Sequence, residues 1–199
     1  MTFNQPKAAT TGSASDALPA NAADQPRAPL PNAVVTPFSH AGLSVPDIHQ
    51  AVEWYRDVLG FQVLDPPRLV DLSSPVADMA DDIYGPGWEA MYQAHLSAAN
   101  GIGLEIFQFV KPQEAEPDRW FEYWRPGLFH IAVTCPDVAG LAERIALSGG
   151  RRRTRIYEPQ PGFTMCYCED PWGNALEINS RSYESAHPVR AAGSAENPR

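Results

Sequence analysis

Phe38-Ser39-His40-Ala41-Gly42-Leu43-Ser44-Val45-Pro46-Asp47-Ile48 and Leu128-Phe129-His130-Ile131-Ala132-Val133-Thr134-Cys135-Pro136-Asp137-Val138 are one pattern written twice. In each, a histidine is followed by two small or apolar residues, an aliphatic, Ser or Thr, one further residue, Pro-Asp and an aliphatic. A second pair follows: Leu104-Glu105-Ile106 answers Leu176-Glu177-Ile178. The histidines stand 90 residues apart and the glutamates 72, so the first half carries 18 extra residues. The insertion is expected between Leu72 and Ala90. Self-similarity of this kind marks two copies of one structural unit.

Each copy reads as strand, helix and three strands. Along 39–45, His40, Gly42 and Ser44 fall on one face, with Ala41, Leu43 and Val45 on the other. Along 129–135, His130, Ala132 and Thr134 oppose Ile131, Val133 and Cys135. Asp47 and Asp137 are positioned to cap helices. The first helix carries Ile48, Ala51, Val52, Tyr55, Val58 and Leu59 at helical spacing and stops at Gly60. The second carries Val138, Leu141, Ala142 and Ile145 and stops at Gly149-Gly150. Further strands are expected near 61–70, 90–98, 102–110, 151–158, 163–169 and 174–180. The turn Asp170-Pro171-Trp172-Gly173-Asn174 leads into the last of them. The class is therefore α+β, two βαβββ modules forming a cupped mixed sheet.

The organisation follows. Residues 1–35, rich in Ala, Pro, Ser, Thr and Asn, read as a disordered arm. One domain is expected over 36–183, with module one at 36–111 and module two at 126–183, and a flexible tail at 184–199. The chain has 199 residues, 44% of them apolar, with a net charge of -9. That acidity disfavours nucleic acid or an anionic membrane as partner. No stretch approaches the roughly 20 apolar residues of a membrane span, and the N-terminus lacks the apolar core of a secretory signal. Cytoplasm is the expected location. Three cysteines imply no disulfide framework; Cys166 and Cys168 read as core residues. The run Arg151-Arg152-Arg153-Thr154-Arg155 reads as the solvated edge of a strand, or as a grip for a small anion. His49, His95 and His187 read as structural or solvated, although His95 lies on a strand that could face the cup.

The glutamates obey the same alternation as the histidines: in both triplets the aliphatics share a face and the carboxylate points away. If the aliphatic faces pack under the helices, His40, Glu105, His130 and Glu177 all point to the concave side. An unpaired carboxylate on a buried strand is costly. Two imidazoles and two carboxylates around one divalent cation resolve that cost.

With these motifs, residues 37–180 resemble the vicinal oxygen chelate superfamily of glyoxalase I, methylmalonyl-CoA epimerase, extradiol dioxygenases, fosfomycin-resistance enzymes and bleomycin-binding proteins. The resemblance rests on the two His-x-x-aliphatic-x-x-Pro-Asp strands, the Asp-Pro-x-Gly-Asn turn and the final Leu-Glu-Ile strand. The order His, Glu, His, Glu is closest to bacterial glyoxalase I. It implies His40, Glu105, His130 and Glu177 as ligands of one metal ion: nickel, zinc, cobalt or manganese. It further implies proton abstraction next to a carbonyl of a metal-chelated small-molecule substrate, with Glu177 as base and Glu105 as the alternative. Homodimers are common in the superfamily, so one is expected; whether one chain or two complete the cup stays open. The residues that grip glutathione in such enzymes are replaced here by Ser44, Phe109 and Pro126, which disfavours a glutathione adduct. Phe107, Phe109 and Tyr167 either line an apolar cup or pack as core. Two other readings stand: an Fe(II)-dependent extradiol-type dioxygenase, which Glu105 speaks against, and a small-molecule-binding resistance protein, which the intact ligand set speaks against.

Overall fold

The computed structural model describes residues 36–113, 123–124 and 126–187. The expected arm at 1–35 and most of the expected tail at 184–199 lie outside the described residues. The elements, in order, are β1 (His40–Ser44), α1 (Ile48–Leu59), β2 (Gln62–Asp71), α2 (Ala77–Tyr84), β3 (Ala90–Ser97) and β4 (Gly103–Lys111) in the first half. The second half holds β5 (Ile131–Thr134), α3 (Val138–Leu147), β6 (Arg151–Arg152), β7 (Tyr157–Gln160), β8 (Phe163–Glu169), β9 (Ala175–Asn179) and α4 (Tyr183–Ala186).

Two mixed sheets result, repeating one topology. The first is ordered β1-β4-β3-β2. The second runs β5-β9-β8, with β6 and β7 both pairing β8. β1 lies parallel to β4 as β5 lies parallel to β9. The remaining pairs are antiparallel. The hairpins β3–β4 and β8–β9 also match. Ala98 N–H donates to Ile102 O at 2.9 Å, and Asp170 N–H to Asn174 O at 3.0 Å.

The helix starts follow the expected chemistry. Asp47 Oδ1 accepts from Gln50 N–H and Asp137 Oδ1 from Gly140 N–H, each satisfying a donor that the first turn leaves open. Gly60 closes α1 in the left-handed region at φ 74°. The core lies where the alternation put it. Leu104, Ile106, Leu176 and Ile178 are buried against Ile48, Tyr55, Ala142 and Ile145, with Ala41, Leu43, Ile131 and Val133 packed on them. Cys166 and Cys168 are fully buried in that core.

α1 binds the halves together. Trp54 Nε1–H donates to Ser148 O at 2.8 Å, and its ring meets Trp172 edge-on. Tyr55 Oη–H donates to Asp170 Oδ2 at 2.9 Å. Asp170 also accepts from the Trp172 and Asn174 backbones and from the Asn174 amide. One carboxylate thus organises the Asp-Pro-Trp-Gly-Asn turn and anchors module one. Burial pushes its pKa up, and the four donors pull the other way.

Three details depart from the expected strands. The strand expected over 151–158 is two short pieces, because Arg153 and Thr154 both donate to Tyr167 O. Two residues opposite one acceptor make a bulge. β2 carries Pro66-Pro67 and shifts register between Asp65 and Arg68; prolines lack the ladder donor, which an edge strand tolerates. The insertion between Leu72 and Ala90 contains α2 and builds a second cluster of Val70, Ala80, Trp88 and Met91, on which Phe107 and Phe109 pack.

The arginine run is mostly committed to structure. Glu169 is buried, and Arg151 and Arg153 both ion-pair with it. The Arg155 guanidinium sits over the Tyr157 ring.

Candidate metal centre

His40 opens β1, and Glu105 lies one strand away on β4. The two backbones are close because Gly103, the residue in register with His40, has no side chain; a Cβ there would stand 2.9 Å from His40 Cβ. His40 Nε2 comes within 3.7 Å of Glu105 Oε2. His130 directly precedes β5, and its Nε2 lies 3.0 Å from Glu177 Oε2 on β9. The four residues singled out by the repeat therefore come together as two pairs, one in each half, each an imidazole and a carboxylate.

Each carboxylate has a second neighbour, on the strand opposite its histidine. His95 is in register with Glu105, and its Nδ1 lies 3.5 Å from Glu105 Oε1. Tyr167 is in register with Glu177 and donates its hydroxyl proton to Oε2 at 2.9 Å. Partial burial, followed by this hydrogen bond and the glutamate charge, pushes the Tyr167 pKa up to about 12. Tyr84, at the end of the insertion helix, has its pKa raised by burial and then by the charge of Glu105. The insertion thus reaches the Glu105 face of the first sheet.

Imidazole and carboxylate are donors that suit zinc, cobalt, nickel and manganese. His130 Nδ1 is buried and meets no hydrogen-bond partner among the described residues. The His130 ring thus depends for its polar contacts on the side facing Glu177, which is where a cation would be shared. Either pair fits part of a coordination sphere. Among the described residues, no group of three or more His, Cys, Asp or Glu side chains is gathered closely enough to hold an ion alone.

His130 also borders two grooves, of about 330 and 640 Å³. Their walls include Ala41, Leu104, Leu128 and Ile131, and the described residues lining them include no Lys or Arg. Sequence reasoning singled out neither Tyr84 nor the tie between Tyr167 and Glu177, and it left His95 undecided. A signal existed: His95 and Tyr167 each stand ten positions before their glutamate.

Residues 38–178 match the family profile described as Glyoxalase/Bleomycin resistance protein/Dioxygenase superfamily, and the chain belongs to that superfamily. Among its relatives, a 2-epi-5-epi-valiolone epimerase of Actinomyces sp. is 26% identical over 154 residues, which are 75% of this chain and 80% of the relative. A lactoylglutathione lyase of Pseudomonas putida is 25% identical over 150 residues, 71% of this chain and 83% of the relative. The crystal structure of a glyoxalase family protein from Bacillus cereus superimposes with a TM-score of 0.65 at 14% identity, covering 76% of this chain and 97% of that one. The last similarity establishes the fold. No helix among the described residues is long and apolar enough to cross a membrane.

Proposed function

We propose that the chain is a metal-dependent isomerase or lyase of glyoxalase I type, acting on a small molecule that carries a carbonyl next to the carbon it deprotonates. The observation that carries this reading is the duplicated pair: a histidine at the start of one strand, or just before it, beside a glutamate on the parallel neighbour, in both halves. A single divalent cation held by His40, Glu105, His130 and Glu177 would supply Lewis-acid stabilisation of negative charge growing on substrate oxygens. The cation is nickel, zinc, cobalt or manganese. Since each half offers only two of the four ligands, the set is completed when the two halves meet, and we assign that meeting to a homodimer.

The protein's own residues then divide the work. Glu177 takes the proton from the substrate carbon and returns it to the neighbouring one; Glu105 is its counterpart on the other side and the alternative base. Ser44, Phe109 and Pro126, at the positions where glutathione-using members of the superfamily carry their grips, speak against a glutathione adduct, whose carboxylates need cations. Proton removal beside a carbonyl serves an epimerase and a lyase alike, the two activities named among the relatives.

The test is elemental analysis of protein purified without added metal, repeated with Glu105→Gln and Glu177→Gln. About one equivalent of nickel, zinc, cobalt or manganese, reduced in both variants, is expected and justifies screening 2-hydroxycarbonyl compounds for solvent proton exchange. Iron insensitive to Glu105→Gln would point to a ring-cleaving dioxygenase instead. No metal under any loading would leave a binding protein.

A further inference from the structure

Each glutamate is flanked from both sides by aromatic or heteroaromatic side chains at repeat-related positions. At the start of the parallel neighbour, or just before it, stands the candidate ligand histidine; on the antiparallel neighbour stands His95 in one half and Tyr167 in the other. We infer that Tyr167 and His95 are positioning residues that fix the carboxylates of Glu177 and Glu105 for the site, and that the two do so by different means. This inference rests on the proposed metal-dependent reading.

The geometry distinguishes the two. Tyr167 Oη–H is a donor toward Glu177 Oε2, the same oxygen that faces His130 Nε2. A phenol and an imidazole on one oxygen leave the other oxygen of Glu177 uncommitted among the described hydrogen bonds. The side chain is held at one atom and is ready for chemistry at the other. Glu105 is arranged differently. His95 Nδ1 lies by Oε1 and His40 Nε2 by Oε2, so both oxygens have a ring beside them at ion-pair distance. Glu105 is therefore centred between two rings, while Glu177 is tethered at one oxygen. A glutamate that must accept and return a proton needs a fixed carboxylate with a free oxygen; a glutamate that serves only as ligand needs none. The tether thus supports Glu177, rather than Glu105, as the proton carrier. The partners of metal-bound carboxylates typically tune metal affinity by about 10–100-fold.

The experiment compares Tyr167→Phe, His95→Gln and His95→Leu with the unaltered protein. Melting temperatures of the metal-free proteins first establish that each variant is folded. Crystal structures of metal-free wild type and Tyr167→Phe then read the tether directly. The Glu177 carboxylate should leave His130 Nε2 in the variant; an unmoved carboxylate overturns the inference whether or not metal binds. Co(II) titration is the second readout. Tyr167→Phe should bind Co(II) about 10-fold or more weakly with an altered visible spectrum. His95→Leu should weaken binding while His95→Gln, which keeps a donor, restores most of it. Wild-type affinity and spectrum in Tyr167→Phe and His95→Leu would overturn the inference. Failure of the wild type itself to bind Co(II) would instead overturn the proposed function, leaving the metal-free structures to judge Tyr167.

Discussion

The Tyr55 hydroxyl, on the helix of the first half, donates to Asp170 in the turn of the second half at 2.9 Å, and both groups are buried. Tyr55→Phe removes one of four donors from a buried carboxylate without changing the ring. The expected loss is about 1–3 kcal/mol. Asp170 has a folded pKa raised above its unfolded value of 3.8. The folded state then binds more protons than the unfolded one between those two values, so this group adds stability as pH falls through the interval and loses it as pH rises. Without Tyr55 the carboxylate is still harder to ionise. The penalty of Tyr55→Phe should therefore be largest near neutral pH and shrink toward about pH 4. Urea midpoints of both proteins across that range check it; a penalty that grows in acid would contradict the assignment.

Gly103 sets the spacing between β1 and β4 at the His40 position. Gly103→Ala places a methyl against His40 Cβ, and backbone at Ser39 O is also near. The imidazole should be pushed from Glu105, with a loss of bound metal out of proportion to the loss of stability. Metal stoichiometry and melting temperature, measured on one preparation, separate the two effects.

If the ligand pairs meet across a dimer, two inactive variants can rescue each other. The double variant His40→Ala/Glu105→Gln lacks one pair, and His130→Ala/Glu177→Gln lacks the other. Unfolded and refolded together, a quarter of the sites should regain the full set, since half the dimers are mixed and each mixed dimer has one intact site. Metal content near that fraction is expected. No recovery, with dimers present by light scattering, would mean each chain completes its own set.

Arg151 and Arg153 hold Glu169 in the core. Replacing both by alanine strands a buried charge, at a cost on the order of 3–5 kcal/mol. If the run served an anionic substrate instead, Arg152→Ala and Arg155→Ala would weaken substrate binding without destabilising the fold. We expect the former result and not the latter, by denaturation and by KM once a substrate is found.

Tyr167 ionises late because it is partly buried and faces a carboxylate. In the metal-free protein its share of stability is complete below about pH 10, the ordinary tyrosine value. That share falls as pH rises through its folded pKa of about 12. Ultraviolet titration should show a late tyrosine that Tyr167→Phe deletes and that Glu177→Gln moves earlier.

What the sequence disclosed is what local rules govern. Asp47 and Asp137 cap helices because a side-chain acceptor next to an open first turn acts within four residues. That each histidine comes to lie beside the glutamate of its own half follows from the two-residue period of strands, which the repeat made readable twice. Register was not readable in the same way. That His95 faces Glu105 and Tyr167 faces Glu177 depends on hairpin length, and the alternation alone fixes only the face. α2 was hidden because its contacts are made to Phe107 and Phe109 on a distant strand. The arginines are exposed on an edge strand, as the sequence suggested, but the ion pairs of Arg151 and Arg153 with buried Glu169 were not legible, because they come from the antiparallel pairing of β6 with β8.

The two hairpins of equal length carry an evolutionary consequence. A chain that contains the same hairpin frame twice has a second copy of each position in that frame. One half can carry imidazole beside its glutamate while the other carries phenol, and neither strand has to be rebuilt. Divergence of this kind needs only single-residue steps on a shared frame, and it leaves two arrangements side by side in one molecule.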